Sequence, residues 1–167
     1  KDYPKRLCLG DWCMGRIAEL SVEYRLPFKI HTGYYAHNGT MPVDYIKSGN
    51  LSALLIRHPK TRFVLMHIAY PYSDELVALA KHFPGVAVDM CWAWSLNPFH
   101  AADFVRRFLH AVPVNKLLPF GGDSWMPSAA VGYSIQARNW LGRALEAEVG
   151  EGLVTEKQAL ALARRLM

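Results

Sequence analysis

Three side chains with metal-binding chemistry, His31, His67 and Asp123, each lie at or just after the end of a short apolar segment. Imidazole nitrogens and carboxylate oxygens are ligands that zinc and related divalent metals accept. Such a metal lowers the pKa of bound water to about 7 and so produces hydroxide at neutral pH. A carboxylate that touches both metal and water can collect the proton of the attacking water. We therefore predict a divalent metal, preferably zinc, bound by His31, His67 and Asp123, with Asp123 and His67 as catalytic residues.

A repeated pattern of strands and helices brings these residues to one edge of a predicted sheet. Strands are predicted at residues 28–32, 62–67, 86–91 and 116–120. Helices are predicted at residues 12–24, 51–57, 74–82, 98–110 and 128–148, with a last helix starting at Thr155. Strands that alternate with helices pair in parallel through right-handed crossovers. The carboxyl ends of such strands share one rim, where reactive residues lie.

Capping residues mark the starts of several predicted helices. Ser73 is a candidate cap for the helix at 74–82, and Asn97 precedes a first-turn proline in the next one. Thr155 and Gln158 have the spacing of a capping box.

The size of the repeat predicts an α/β fold with the geometry of a partial (β/α)8 barrel. Each strand-helix unit takes about 30 residues, the size of one step in a barrel of eight. A complete barrel needs about 200 residues or more, and this chain has 167. We predict a single domain over residues 1–167. Four strands cannot close such a barrel, so we expect a fragment of a longer enzyme or one partner in an assembly. The chain also opens with Lys1 rather than Met.

Aromatic residues are concentrated on the predicted rim and suit a small organic substrate. They are Tyr34, Tyr35, Tyr70, Trp92, Trp94 and Trp125, and all but Tyr35 are predicted as substrate-binding residues. Packing beneath the loops is the alternative role for this set. His37 could also touch substrate, although a surface role suits it better. The sequence leaves open whether Asp89 faces the barrel interior or the rim.

Composition excludes several other classes of protein. The formal net charge is +5, but the basic residues are scattered, so we predict no nucleic-acid partner. No apolar segment approaches the ~18 residues that span a bilayer, and no signal-peptide pattern opens the chain. Cys8, Cys13 and Cys91 are an odd number without paired spacing, which favours reduced thiols in a cytoplasmic protein.

Several motifs together resemble the amidohydrolase superfamily, most closely its amidohydrolase-2 group, which includes domains fused to glutamine synthetase. The motifs are Ile30-His31-Thr32-Gly33, Phe63-Val64-Leu65-Met66-His67 with Tyr70-Pro71, and Gly121-Gly122-Asp123-Ser124. They correspond to strands five, six and eight of that family's barrel. The resemblance implies that this chain is the C-terminal half of a TIM-type barrel with one or two divalent metals at its rim. It also implies that His31 and His67 bind the metal or lie beside it, and that Asp123 binds the metal and activates water.

The function that the resemblance implies is hydrolysis of an amide or ester-type bond in a small substrate. The family's first strand supplies a His-x-His pair, which does not occur in this sequence. We therefore expect the chain alone to have weak activity or none. Two alternatives stay open: metal-dependent decarboxylation of an aromatic acid, and a noncatalytic half-barrel that forms homo-oligomers through its open sheet edges.

Overall fold

The computed structural model describes residues 8–36 and 39–167, so His37 lies outside the described residues. One parallel sheet of four strands forms the centre of the fold, and its strand order is the chain order. The strands are β1 (Phe28–Ile30), β2 (Phe63–Met66), β3 (Val86–Asp89) and β4 (Leu117–Leu118). The predicted α/β class with parallel pairing is confirmed.

Helices follow the strands and cover one face of the sheet. They are α1 (Leu9–Glu23), α2 (Ser52–Arg57), α3 (Ser73–His82), α4 (Ala93–Leu96), α5 (Pro98–Ala111), α6 (Pro127–Gly150) and α7 (Glu156–Leu166). Short 3₁₀ turns occupy Val43–Tyr45, Ser48–Leu51, His67–Ala69 and Val114–Lys116. Asn97 caps α5, and its side chain accepts a hydrogen bond from the backbone N–H of His100. The α7 helix has the predicted capping box of Thr155 and Gln158.

The hydrophobic core lies between the sheet and this helical layer. Alternate strand residues point into it, among them Phe63, Leu65 and Val88, because successive side chains of a strand face opposite sides. The α5 helix contributes Phe104 and Phe108, whose ring centroids are 5.6 Å apart. Burial of these side chains fixes each strand against its helix and so fixes where each strand ends.

The opposite face of the sheet would be the inner wall of a closed barrel. Lys29 on β1 and Asp89 on β3 lie on it and form an ion pair of 2.7 Å across β2. Leu118 on β4 is 43% exposed on the same face. Since β1 and β4 are both edge strands in the described part of the chain, the barrel is not closed. The question about Asp89 is answered: its side chain is buried on the inner face.

The α3 helix starts differently from the prediction. Ser73 is its first residue, Tyr72 occupies the cap position, and no side chain caps the backbone there. The Ser73 hydroxyl lies 2.6 Å from Nε2 of His100 and hydrogen-bonds to it. The predicted cap is therefore wrong. The buried Ser73 hydroxyl bonds to His100 on the neighbouring α5 helix instead of to the backbone of α3.

A buried carboxylate joins α5 to α6. Glu148 is 1% exposed and accepts hydrogen bonds from Nε of Arg106 and Nε2 of His110, both at 2.5 Å. Burial by itself would raise the pKa of Glu148, but the hydrogen bonds from Arg106 and His110 outweigh it, and the pKa falls below its ordinary value. The carboxylate is therefore charged at neutral pH and depends on its two partners.

We expect Arg106→Ala to lower the free energy of unfolding by about 3 kcal/mol, because it leaves a buried charge short of a partner. Urea denaturation at neutral pH measures the loss. Arg138→Ala is the matched control: Arg138 is an exposed arginine on α6 that bonds to the Ser134 hydroxyl, and its removal should cost less than about 0.5 kcal/mol. Equal losses in the two variants would contradict a special role for the Glu148 cluster.

Candidate active site at the carboxyl ends of the strands

The turn that carries His67 is held in an unfavourable backbone conformation. His67, Ile68 and Ala69 follow β2 with φ of 61°, 49° and 50°. Left-handed backbone costs a non-glycine residue about 1 kcal/mol or more. Three such residues in a row persist only where surrounding contacts hold them, and strain of this kind is concentrated at functional sites.

Contacts from the segment after β1 hold this turn. The Thr32 hydroxyl donates a hydrogen bond of 2.5 Å to the carbonyl of Met66. Gly33 has a φ of 73°, and a Cβ atom there would lie 2.4 Å from the carbonyl carbon of Ala69. Because that distance is far below contact distance, the two backbones can pack together only if residue 33 has no side chain.

One hydrogen bond sets the orientation and tautomer of the His67 ring. Nδ1 of His67 lies 2.7 Å from the carbonyl oxygen of Cys91, which can only accept, so Nδ1 carries the proton. Nε2 then presents a lone pair. This atom is buried and has no hydrogen-bond partner in the described structure, and it lies 3.7 Å from Oδ2 of Asp123. A buried acceptor directed at a carboxylate is the arrangement expected of two ligands that share a cation.

Asp123 reaches the site from the loop after β4. Its φ is 42°, again left-handed, and its side chain is 48% exposed. His67, directly after β2, and Trp92, three residues after β3, are left-handed too, with φ of 61° and 63°. Each of these three loops therefore contains a left-handed residue, and the loops after β2 and β4 bring His67 and Asp123 to within 3.7 Å of each other.

Cys91 is the functional candidate that sequence reasoning missed. One ring nitrogen of His67, the sulfur of Cys91 and one carboxylate oxygen of Asp123 all lie within 4.8 Å of one another. Burial raises the pKa of the Cys91 thiol to about 11, and the nearby Asp89 and Asp123 carboxylates add to the shift. The available signal was its position two residues after β3, on the same rim as the three predicted ligands.

His31 lies beside this group. Its ring centroid is 4.4 Å from that of His67, but its nitrogens do not fall within the mutual 4.8 Å found for the group of three. Desolvation lowers the pKa of His31, the His67 ring lowers it further, and Asp123 opposes the shift. A neutral imidazole at this place can act as a ligand or as a proton acceptor.

The predicted substrate-binding aromatics divide into two sets. Trp92 and Trp125 line an open cleft of about 340 Å³ together with His31 and Asp123, and Trp125 is 90% exposed. Tyr34 packs against Trp92, with 6.0 Å between ring centroids. These residues lie where a substrate would meet the candidate ligands.

Trp94 and Tyr70 lie elsewhere. Trp94 is 2% exposed within the core, and its indole N–H donates to the carbonyl of Pro119 at 2.7 Å. Its predicted place on the substrate rim is corrected, because α4 turns this side chain inward. Tyr70 is half-buried and packs edge-on against His100, 4.9 Å between centroids, which supports the turn after β2.

Known proteins share the sequence pattern and the fold of this chain. The family model described as Amidohydrolase matches residues 5–154. The chain belongs to the amidohydrolase family. A crystal structure from Lactobacillus casei, described as a candidate metal-dependent hydrolase, superposes with a TM-score of 0.75 at 23% identity over 93% of this chain. The amidohydrolase resemblance and the partial-barrel fold predicted from sequence are both confirmed.

A further similarity is to Protein fluG of Emericella nidulans, which is 26% identical over an alignment of 167 residues that covers 95% of this chain. The chain spans only 19% of the length of that relative and 40% of the length of the Lactobacillus casei chain. The amidohydrolase chain described here thus corresponds to a minor part of each. None of the helices in the described residues is long and apolar enough to cross a membrane.

We expect Gly33→Ala to destabilise the protein by about 2–4 kcal/mol and to weaken metal binding, because the new methyl group would push the turn that carries His67. Gly152→Ala is the matched control: φ is 72° there, against 73° at Gly33, but nothing lies within 4 Å of the added Cβ. That variant should lose only about 1 kcal/mol. Urea denaturation and zinc titration test both, and equal effects would contradict the proposed backbone contact.

Proposed function

We propose that this chain supplies the C-terminal part of the active site of a metal-dependent hydrolase, with an amide or ester-type bond of a small organic molecule as the target. The observation that carries the proposal is the buried, unpartnered Nε2 of His67, directed at Asp123 at 3.7 Å. Membership of the amidohydrolase family supports the class of reaction. The description of the Lactobacillus casei protein as a metal-dependent hydrolase supports the metal requirement.

The residues at the site fit a divalent cation. Two ligands at about 2.1 Å from a tetrahedral ion lie about 3.4 Å apart, close to the observed 3.7 Å between His67 and Asp123. The ring centroid of His31 lies 4.4 Å from that of His67, so His31 would be a further ligand or would face the substrate from beside the metal. Zinc and related divalent metals accept nitrogen and oxygen donors in this mixture, and zinc is the metal that we propose.

Catalysis would divide between the metal and the residues of this chain. A bound divalent metal supplies Lewis acidity, which lowers the pKa of water and polarises a substrate carbonyl. Asp123 accepts the proton of the attacking water, because its half-exposed carboxylate borders both the ligand group and the cleft. His67 keeps its ligand nitrogen aimed at the site through the Cys91 carbonyl. Trp92 and Trp125 form the wall against which an organic substrate packs.

The ligand set on this chain is incomplete for the family, since the sequence contains no His-x-His pair. We propose that full activity needs the remaining strands of the barrel, as a closed barrel would supply them. The free thiols of Cys8, Cys13 and Cys91 support a reducing, cytoplasmic compartment.

We expect Asp123→Asn in the intact protein to lower kcat by about 10²–10⁴-fold, because the amide cannot take up the proton. The side chain is half-exposed, so the folded state should persist, and near-ultraviolet circular dichroism checks this. Asp103→Asn is the matched control: Asp103 is an exposed carboxylate on α5 that pairs with Arg107, away from the cleft. Turnover by Asp123→Asn at the unsubstituted rate would overturn the proposed role of this carboxylate.

A second candidate reaction is metal-assisted decarboxylation of an aromatic acid. The aromatic lining of the cleft, Trp92, Trp125 and Tyr133, favours a flat substrate. Reactions in ¹⁸O-labelled water separate the two candidates. A hydrolase places the label in its product, whereas a decarboxylase releases carbon dioxide without incorporating water at the cleaved bond.

A third candidate is a noncatalytic half-barrel that associates with itself. The outer edges of β1 and β4 have no strand partner among the described residues, and unpaired edges invite pairing with another chain. We expect light scattering on the purified 167-residue chain to give a mass above that of a monomer. A monomeric mass at all accessible concentrations would exclude edge pairing as its function.

A further inference from the structure

We propose that the Cys91 sulfur is a protein ligand of the metal, so that the centre combines nitrogen, sulfur and oxygen donors and selects zinc over magnesium or manganese. This inference rests on the proposed function, since it concerns the same metal centre. It adds a thiolate to the His and Asp ligands, and with it a basis for the choice of metal. Sulfur donors favour zinc and other soft or borderline ions, whereas magnesium and manganese prefer oxygen.

The first support is the position of the sulfur. It lies within 4.8 Å of both a ring nitrogen of His67 and a carboxylate oxygen of Asp123, and the residue is only 6% exposed. A structural thiol in a hydrophobic core would be surrounded by apolar groups, but this one faces two groups with metal-ligand chemistry. A contraction of roughly 1 Å brings three such donors to the spacing expected around one zinc ion.

The second support is the space kept for the sulfur by the loop after β4. A Cβ at Gly121 would lie 2.7 Å from the Cys91 sulfur and 2.9 Å from its Cβ. The loop that carries Asp123 therefore packs directly against the Cys91 side chain, and this packing fixes the Cys91 sulfur relative to the Asp123 carboxylate.

The third support does not involve the cysteine sulfur. Nε2 of His67 is buried without a partner, and its ring is held by the carbonyl of Cys91 itself. Leaving a buried nitrogen acceptor unsatisfied is unfavourable, and a bound cation would remove that cost. Nε2 lies 3.7 Å from Oδ2 of Asp123, and the sulfur lies within 4.8 Å of a His67 ring nitrogen and of an Asp123 oxygen, so one cation placed among them would contact all three side chains.

Metal binding to the Cys91 sulfur releases one proton. The sulfur–metal bond forms as the sulfur–hydrogen bond of Cys91 breaks, and the proton leaves to the solvent or buffer. No oxidant or other reactant is needed. The thiol stays reduced throughout.

The experiment uses cobalt(II) as a spectroscopic substitute for zinc in the intact protein. A background of Cys8→Ser with Cys13→Ser leaves Cys91 as the remaining cysteine of this sequence. Serine at position 8 keeps the capping role of the side chain that begins α1. We expect one cobalt per chain with a sulfur-to-metal charge-transfer band in the near ultraviolet. Adding Cys91→Ser should abolish the band.

Affinities supply a second measurement. We expect Cys91→Ser to weaken zinc binding at least about 10-fold while manganese affinity changes less than about 3-fold. Cys91→Ala checks that the serine hydroxyl is not itself a ligand. Circular dichroism establishes that each variant is folded, and the band in the Cys91-containing protein is decisive even if both variants unfold.

The outcomes separate the two proposals. Cobalt bound without a charge-transfer band, or with a band that survives Cys91→Ser, overturns the sulfur ligand but leaves the metal-dependent hydrolase intact. Failure to bind cobalt or zinc at all overturns both. A band that depends on Cys91, with selective loss of zinc affinity, supports both.

Discussion

The hydrogen bond from Nδ1 of His67 to the carbonyl of Cys91 is the constraint on which the site depends. It joins the end of β2 to the segment that follows β3 and allows only one tautomer of the ring. Without it the ring could rotate, and the lone pair of Nε2 would have no fixed direction. The left-handed turn at residues 67–69 and the close approach of Gly33 both serve to keep the ring within reach of that carbonyl.

Much of this arrangement follows from sequence because strand ends are easy to locate. The apolar segment before His67 predicts a strand buried on both faces, and the histidine marks where the apolar segment ends. Asn97 and Thr155 predict helix starts through local hydrogen bonds, which neighbouring residues alone determine. His67 and Asp123 were therefore expected on one rim before any distance was known, although their roles as ligands stay a prediction.

What sequence could not supply is the direction of individual side chains. Trp94 follows a strand just as Trp92 does, but the short α4 helix turns one indole into the core and leaves the other at the cleft. Cys91 has no spacing pattern to mark it, and its importance comes from His67 and Asp123, which lie 24 and 32 positions away along the chain. The left-handed backbone at His67, Trp92 and Asp123 depends on tertiary contacts that outweigh the intrinsic preference of these residues.

The agreement between strand order and chain order has a consequence for how this molecule can be assembled. Each strand pairs with the one synthesised just before it, so no part of the sheet has to wait for a distant segment to emerge. The loop-closure entropy lost on pairing is smaller when each strand pairs with its neighbour in the chain than when it pairs with a distant strand. For the same reason the fold is modular. A further strand-helix unit would pair with the outer edge of β1 or β4 without changing the units that have already folded.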